Sequence, residues 1–394
     1  MKHHKSVVVA GHICLDVIPD LSHLPSGQFG TLFQPGQLIT AGKVEFSTGG
    51  PVSNTGLALH QLGVPTRLSA KVGDDSFGQV IIDLIDPELT HGVTRSQQES
   101  TSYSVIISPP ETDRIFLHFP GANDTFCAAD IDYELVAAAH LFHFGYPPIM
   151  RRMYEEDGAE LTAVFQRAKA TGVTTSLDMA VPDPASPGGQ ADWRKILEHT
   201  LPFVDIFSPS IEEILYMLRR DLFEELKETG IVEQATPELL IGLSDDLLHM
   251  GVKILLLKLG HRGLYLQTSS AGQLAQMGRA VPKEPANWAD RTLWAPCFQV
   301  QVAGTTGAGD ATIAGFIASL LRELSPEEAL TTAVAVGACN VEAADALSGL
   351  QSWAATQDRL SRPWVRLPLD LSAYGWRKTM PFDLWEPRMR LDQS

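Results

Sequence analysis

The residues of this chain with the clearest chemical potential lie in a glycine-rich turn that leads into a predicted helix. The turn and the carboxylate that follows it are Thr305, Thr306, Gly307, Ala308, Gly309 and Asp310. Beyond Asp310, apolar residues recur at helical spacing through Leu324, which predicts a helix. The first turn of a helix offers unpaired N–H groups and the positive end of the helix dipole, so it binds anions such as phosphate. The turn therefore predicts a phosphate site beside a carboxylate, although Asp310 taken alone could also be a simple helix cap.

A second glycine pair begins another predicted helix near the start of the chain. Gly49 and Gly50 precede apolar residues at helical spacing, and the pattern stops at Gly63 with Pro65 beyond it, as is usual at a helix end. Paired glycines let the backbone approach a ligand closely. Asn54 falls in the first turn and faces whatever lies at that end. In isolation, such a pair more often forms only a turn.

The elements that must position these residues alternate between strands and helices. Residues 7–10 predict a buried first strand, and strand and helix candidates alternate from His140 onward. This order predicts an α/β fold with a mostly parallel central sheet flanked by helices. Ligands in such sheets bind beyond the carboxyl ends of the strands, and Asp16, Asp178 and Ser210 each follow or end a predicted strand.

Two regions depart from this alternation. Residues 103–108 and 114–119 alternate apolar and polar side chains around a short loop, which predicts a hairpin with one exposed face. Residues 351–394 form a C-terminal extension that is rich in tryptophan and proline and has little periodicity. We expect this extension to be irregular and to lie against the core.

The composition excludes several classes of partner. A chain of 394 residues with 44% hydrophobic residues can bury a large core, but its formal net charge of −17 disfavours binding to nucleic acid or to an anionic membrane. No segment approaches the ~18 uninterrupted apolar residues that a membrane span needs. Cys14, Cys127, Cys297 and Cys339 lie far apart without metal-ligand spacing, which predicts reduced thiols and a cytoplasmic location.

The two glycine-rich segments together resemble a known family. GGPVSNTGLALHQLG at 49–63 and TTGAGDATIAGF at 305–316 are similar to the two signatures of the ribokinase-like pfkB family of carbohydrate kinases, and KVGDDSFG, SPSIEE and KLGHRG fall between them in the family's order. The resemblance covers roughly residues 5–350. It implies a ribokinase-like kinase domain over 1–350, with a small β-sheet lid formed by about 13–48 and 100–125.

The resemblance also implies a reaction and the residues that carry it. The reaction is transfer of the γ-phosphate of ATP, with Mg²⁺, to a sugar hydroxyl, for which Asp310 is the catalytic base and the backbone of 307–309 stabilises the transferred group. The sugar site would comprise Asp16, Gly49, Gly50, Asn54 and Asn123. The ATP site would comprise Ser210, Lys258, Gly260, Gly263, Thr305 and Thr306. Glu213 would help to organise Mg²⁺ and its waters.

Three residues depart from the family's pattern. Ser210 replaces the Asn of the family's Asn-x-x-Glu motif, so a water molecule could fill the place of the amide. Gly304 stands where many members have an Asp that contributes to a monovalent-cation site, so potassium activation is not expected. Cys14 replaces a polar residue that ribose-specific members use, which argues against ribose as the substrate.

Several alternatives remain open from the sequence. A nucleoside kinase would need an aromatic stacking face, which Tyr103, Phe116 and Phe119 could supply, although such alternating aromatics more often pack. An acidic sugar would need a cation in the lid, and Arg114 is the candidate. A non-catalytic protein that binds a sugar and a nucleotide is the third alternative. A homodimer through the lid would cover the edges of its strands.

Overall fold

The computed structural model of the chain describes residues 5–24, 34–110 and 115–388. Its strands are β1 Val7–Gly11, β2 Cys14–Pro19, β3 Val44–Gly49, β4 Thr66–Gly73, β5 Gly92–Ser96, β6 Tyr103–Ile107, β7 Ile115–Phe119, β8 Leu141–Gly145, β9 Thr174–Leu177, β10 Ile206–Phe207, β11 Ile254–Lys258, β12 Leu264–Thr268, β13 Thr292–Ala295, β14 Trp376–Thr379 and β15 Leu384–Pro387.

Helices alternate with these strands through most of the chain. They are α1 Pro51–Gln61, α2 Ser76–Leu84, α3 Tyr133–Ala138, α4 Arg151–Tyr154, α5 Ala159–Ala170, α6 Pro187–Gln190, α7 Trp193–Thr200, α8 Ile211–Leu218, α9 Arg220–Leu226, α10 Pro237–His249, α11 Ala271–Leu274, α12 Pro285–Trp288, α13 Ala308–Leu321, α14 Pro326–Asn340 and α15 Trp353–Leu360. Short 3₁₀ segments lie at Gly121–Thr125, Ala128–Asp130, Pro147–Ile149, Glu155–Gly158, Leu201–Phe203, Gly260–Arg262 and Ser372–Tyr374.

Within the described parts of the chain, eleven strands form the central sheet in the order β14-β15-β13-β12-β11-β10-β9-β8-β1-β4-β5. The sheet is parallel from β5 to β11 and antiparallel from β11 to β14. The predicted α/β fold with a mostly parallel sheet is confirmed. The antiparallel strands fall at one edge, where two of the neighbouring pairs, β11–β12 and β14–β15, are joined by short turns.

The core lies on both faces of this sheet. In β1, Val7 and Val9 pack into one apolar cluster, whereas Val8 and Ala10 pack into another, because successive strand residues point to opposite faces. Helices α13 and α14 cover the first face, and α5, α7, α8 and α10 contribute to the second. Burial on both faces explains why the strands are continuous apolar runs in the sequence.

A separate four-stranded sheet has the order β3-β2-β6-β7. Its strands fall within residues 14–49 and 103–119, so the predicted small second sheet is confirmed. Along β7 the side chains of Phe116 and Leu117 are 53% and 56% exposed. Arg114, the candidate cation for an acidic sugar, lies outside the described residues.

The C-terminal extension is more regular than we expected. Helix α15 begins at the N-cap Ser352, and β14 and β15 join the antiparallel edge of the central sheet. Each strand has only four residues, so alternation is too brief to reveal it. Trp376 is 2% exposed and lies against the rings of Tyr265 and Trp294.

Two further observations concern the whole chain. Across residues 5–24, 34–110 and 115–388, no helix combines the length and apolar character that a membrane crossing requires. All four cysteines are free thiols, as their spacing in the sequence indicated.

Candidate active site

Asp310 lies in the first turn of α13 and is the centre of the candidate site. Its carboxylate is 2% exposed and accepts three hydrogen bonds from side chains. Thr55 Oγ1 donates to Oδ1 at 2.9 Å, and Asn54 Nδ2 and the Tyr146 hydroxyl donate to Oδ2 at 3.2 and 3.0 Å. These bonds fix the plane of the carboxylate, and no ion pair to it is found among the described residues. Asp310 is therefore a fixed hydrogen-bond acceptor with more side-chain partners than a helix cap requires.

Helix α1 brings Asn54 and Thr55 to Asp310. Its N-cap, Gly50, has a φ of 88° and precedes a proline at the first helical position, a combination that favours glycine followed by a fixed helical turn. A Cβ at Gly50 would lie 2.6 Å from Nδ1 of His12, so the close approach also requires glycine. The second predicted glycine pair therefore aims the first turn of α1 at the acidic residue of α13.

The N-terminus of α13 has the geometry that the glycine-rich turn predicted. Gly307 is the N-cap with a left-handed φ of 72°, and a Cβ there would lie 2.6 Å from Cβ of Ala346. The N–H of Ala308 donates to the Thr305 carbonyl at a long 3.3 Å. Gly309 faces a lysine side chain, since a Cβ on it would lie 3.6 Å from a lysine Nζ. The turn thus presents backbone N–H groups and one cation at the same place.

The start of this loop is closely packed against the segment that follows α14. The N–H groups of Ala303 and Gly304 donate to the Val341 carbonyl, and a Cβ at Gly304 would lie 2.7 Å from the Ala344 carbonyl oxygen. An aspartate at this position would collide with that segment. Thr306 is half-buried and the preceding threonine is exposed.

The lysine that faces Gly309 is Lys258, at the end of β11. Its Nζ donates to Asp178 Oδ1 at 2.6 Å and lies 3.9 Å from Glu213 Oε2. Glu213 also closes a capping box, because Oε2 accepts from the Ser210 N–H at 2.6 Å while Ser210 Oγ accepts from the Glu213 N–H at 3.1 Å. Ser210 and Glu213 thus meet at the start of α8, and Ser210 is also joined to Lys258 by a parallel β-bridge. These three of the predicted ATP and metal residues lie together.

The cluster contains more acidic groups than basic ones. Burial by itself lowers the pKa of Lys258, but the carboxylates of Asp178 and Glu213 outweigh it and the pKa is raised, so the ammonium group stays charged. The negative charge of Asp310 acts in the same direction. Burial raises the pKa of Glu213. Burial also raises the pKa of Asp178, to about 8, although Lys258 acts in the opposite direction. Two buried acidic residues, Asp178 and Glu213, therefore share Lys258, and a bound cation would favour their ionised forms.

A second acidic site lies in the small sheet. Asp16 is in β2, and its Oδ1 accepts from the Cys14 thiol at 3.4 Å. Burial raises the pKa of Asp16 to about 6. A Cβ at Gly49 would collide with this carboxylate, because Gly49 and Cys14 are register partners in adjacent strands. Gly49 therefore lets the Asp16 carboxylate lie directly against the backbone of β3.

Three other predicted site residues fix the conformation of nearby loops and turns. Asn123 is fully buried, and its amide donates to the Ile13 carbonyl at 2.8 Å while its Oδ1 accepts from the Ile13 N–H at 3.2 Å. Gly260 and Gly263 have φ values of 51° and 98° in the turn between β11 and β12, and the Leu259 N–H donates to the Gly263 carbonyl. Their direct contacts with sugar and ATP stay predictions, and the geometry gives them structural roles.

Sequence reasoning missed four residues of the site. Thr55 and Tyr146 bind Asp310, while the rings of His12 and His118 lie 5.2 Å apart above the Cys14 end of β2. Tyr146 follows β8 directly and has a left-handed φ of 64°. Its position beyond the carboxyl end of a parallel strand was the available signal. Burial, with the nearby Asp310 charge, raises the pKa of Tyr146, so its hydroxyl stays a donor.

Known proteins are similar to this chain in sequence and in fold. The family described as pfkB family carbohydrate kinase matches residues 4–353. Fructokinase-2 of Zea mays is 24% identical over 375 residues, which cover 90% of this chain and 94% of that protein. The structure of Arabidopsis thaliana ribokinase complexed with ribose and ATP matches with a TM-score of 0.69 at 21% identity, covering 91% of this chain and 99% of that chain. An E. coli protein in complex with ATP and Mg²⁺ matches with a TM-score of 0.66 at 20% identity, covering 91% and 100%.

Proposed function

The chain belongs to the pfkB family of carbohydrate kinases, and we propose that it transfers the γ-phosphate of ATP to a carbohydrate hydroxyl with Asp310 as the catalytic base. One observation carries the assignment of the base. The buried Asp310 carboxylate lies in the first turn of α13 and is oriented by donors from two other elements. An acceptor hydroxyl that approaches the N-terminus of α13 would meet the carboxylate and the backbone N–H groups together.

Asp310 would act on the proton of the attacking hydroxyl. As the acceptor oxygen bonds to the γ-phosphorus, its proton moves to Asp310 and the bond from the phosphorus to the bridging oxygen of ATP breaks, which leaves ADP. The donors Asn54, Thr55 and Tyr146 hold the carboxylate in place during this transfer. A positioned general base contributes about 10²- to 10⁴-fold to the rate.

The backbone of 307–309 and Lys258 would stabilise the transferred phosphoryl group. In phosphoryl transfer, catalysis comes mostly from positioning and from neutralising the charge on the equatorial oxygens. Lys258 already lies beside Gly309, and its ammonium group stays charged because of its carboxylate neighbours. Asp178 would hold Lys258 in place while leaving its remaining donors available.

The same cluster fits Mg²⁺. Hard cations take oxygen ligands, and here Asp178 and Glu213 supply carboxylate oxygens beside one lysine. Glu213 would act through water, since its Oε2 is engaged by the Ser210 N–H. When bound, Mg²⁺ supplies charge neutralisation for the phosphates of ATP.

A sugar fits the acceptor end better than a nucleoside. The ring of Tyr103, which could stack on a base, lies 5.5 Å from Phe77 and 5.6 Å from Phe119, so it is used in packing. Asp16, whose carboxylate lies against Gly49, offers oxygens that can each accept from a hydroxyl group. The homodimer through the lid remains a prediction.

The decisive experiment compares wild type with Asp310→Asn in an ADP-release assay on a panel of sugars and nucleosides. We expect turnover of the best acceptor to fall by about 10²- to 10⁴-fold, while ATP still raises the melting temperature of the variant. Asp83→Asn, at an exposed carboxylate on α2, is the control and should keep wild-type turnover. Wild-type turnover by Asp310→Asn would show that the base is another group.

A further inference from the structure

A cluster of soft ligand atoms lies at the acceptor end of the site and has no part in the proposed reaction. His12, Cys14 and His118 each place one ligand atom so that all three atoms lie within 4.8 Å of one another. His12 lies between β1 and β2, Cys14 begins β2, and His118 lies in β7. Two distant stretches of the chain, around residues 12–14 and at His118, therefore converge on one point.

His12 has unmet hydrogen-bonding capacity. Its side chain is 2% exposed, and neither ring nitrogen has a hydrogen-bond partner among the residues that the structure describes. A buried polar group without a partner costs about 1–3 kcal/mol, so a native protein seldom keeps one without a use for it. The neighbouring His118 ring, at 5.2 Å between centroids, gives this imidazole a partner of the same ligand chemistry.

The other two residues are held but not saturated. The Cys14 thiol is 4% exposed and makes long contacts to Asp16 Oδ1 at 3.4 Å and to Ser104 Oγ at 3.8 Å. Nδ1 of His118 lies 3.0 Å from the same Ser104 Oγ, which leaves Nε2 for another partner. A hydrogen bond to one ring nitrogen is the usual device that orients a metal-ligating histidine.

We propose that His12, Cys14 and His118 form a zinc-binding site. The site would join β7 of the small sheet to the segment between β1 and β2. Two imidazoles and one thiolate are ligands that Zn²⁺ accepts, with a fourth position left for water or another oxygen. The thiol proton leaves to solvent when the sulfur binds the ion. Zn²⁺ holds such donor atoms about 3.5 Å apart. The three ligand atoms, now within 4.8 Å of one another, must therefore move closer together by about 1 Å.

The ligand chemistry separates this site from the magnesium site of the proposed function. Mg²⁺ prefers carboxylates, phosphates and water, whereas thiolate and imidazole favour Zn²⁺. The zinc site also has a consequence, which rests on the proposed function. An ion that ties His118 of β7 to His12 would cross the pocket in which Asp16 binds the acceptor, so Zn²⁺ should compete with the sugar and not with ATP.

Cobalt(II) is the probe for the site, because a cobalt–thiolate bond gives a charge-transfer band in the near ultraviolet. The purified protein, without ATP or sugar, is titrated with CoCl₂ and then with ZnCl₂. We expect one cobalt ion per chain with the thiolate band, and loss of the band when zinc displaces cobalt. Cys14→Ser should lose the band, whereas Cys127→Ser, at a half-buried cysteine outside the cluster, should keep it.

A second variant covers the case in which Cys14→Ser does not fold. His118→Gln changes an exposed ring on β7 and should weaken Zn²⁺ binding at least about tenfold. Cobalt binding without a thiolate band, a band that persists in Cys14→Ser, or unchanged zinc affinity in His118→Gln would each overturn the proposal. Because these measurements need no turnover, they stand apart from the test of Asp310.

Discussion

At the scale of single residues, two acidic residues of the site differ in their hydrogen-bond partners. Asp310 is surrounded by neutral donors, Asn54, Thr55 and Tyr146, whereas Asp178 binds the ammonium group of Lys258 at 2.6 Å. Contact with Lys258 lowers the pKa of Asp178, but burial outweighs that effect and raises the pKa to about 8. Because Oδ1 of Asp178 is engaged by Lys258 while the donors around Asp310 are neutral, the geometry supports our proposal that Asp310 is the base and that Asp178 holds the lysine.

Asp16 provides a prediction about pH. Burial raises its pKa to about 6 from an ordinary value of 3.8, which corresponds to about 3 kcal/mol. Because the folded protein binds this proton more tightly than the unfolded chain, Asp16 favours folding at low pH and that stability is lost as the pH rises through about 6. We expect Asp16→Asn to be more stable than wild type by up to about 3 kcal/mol near pH 7.5, and much less so near pH 4.5.

Urea unfolding at the two pH values measures this difference. The same variant should bind the acceptor more weakly near neutral pH, because the ionised carboxylate accepts hydroxyl hydrogen bonds that an amide only partly replaces. Asp83→Asn serves as the exposed control and should show neither effect. A stability gain that does not depend on pH would argue against burial of the Asp16 charge.

At the scale of elements, two glycine turns aim two helices at one point. Gly50 allows the N-terminus of α1 to pass close to His12, and Gly307 allows the N-terminus of α13 to pass close to Ala346. Both glycines have positive φ values. Gly304 is fixed for a related reason, since the segment after α14 leaves no space for a side chain.

Gly307→Ala tests the turn before α13. The left-handed backbone costs an alanine about 1–2 kcal/mol, and the new methyl group would lie 2.6 Å from Cβ of Ala346. Because the turn aims the backbone N–H groups of 307–309, we expect turnover to fall by about 10²-fold or more, with a smaller loss of stability. Steady-state kinetics and urea unfolding on the same samples separate the two effects.

The matched control is Gly242→Ala in α10. A Cβ at this glycine meets nothing within 4 Å, and alanine stabilises a helix interior by about 1 kcal/mol relative to glycine. This variant should gain stability and keep wild-type turnover. If Gly307→Ala behaved in the same way, the turn would not need its left-handed conformation.

At the scale of the whole molecule, the C-terminal extension is part of the core. Trp376 of β14 packs edge-to-face on Trp294, with their ring centroids 6.4 Å apart, and Leu371, Trp376 and Trp385 belong to the same apolar cluster as α5 and α8. The extension therefore completes the antiparallel edge of the sheet. It is not a separate binding segment laid over a finished domain.

Trp376→Ala tests this conclusion. Removal of a buried tryptophan costs about 3–5 kcal/mol, and we expect one cooperative unfolding transition at lower urea concentration. Tyr374→Ala, two residues away and 46% exposed, should change the free energy of unfolding by less than about 0.5 kcal/mol. A loss for Trp376→Ala as small as that of the control would show that the extension unfolds independently of the core.

The sequence by itself determined the α/β fold, the two glycine-rich turns and the resemblance that singles out Asp310, because these depend on local periodicity, on backbone conformation and on motifs of contiguous residues. Only the tertiary structure decided which residues meet. Tyr146 reaches Asp310, Lys258 reaches Asp178, and His118 meets His12 and Cys14 although it lies far from them in the chain. It also assigned Asn123 to the backbone of Ile13. Contacts between residues far apart in the chain depend on how the sheet and its connections close in space, and one sequence carries no local pattern for that.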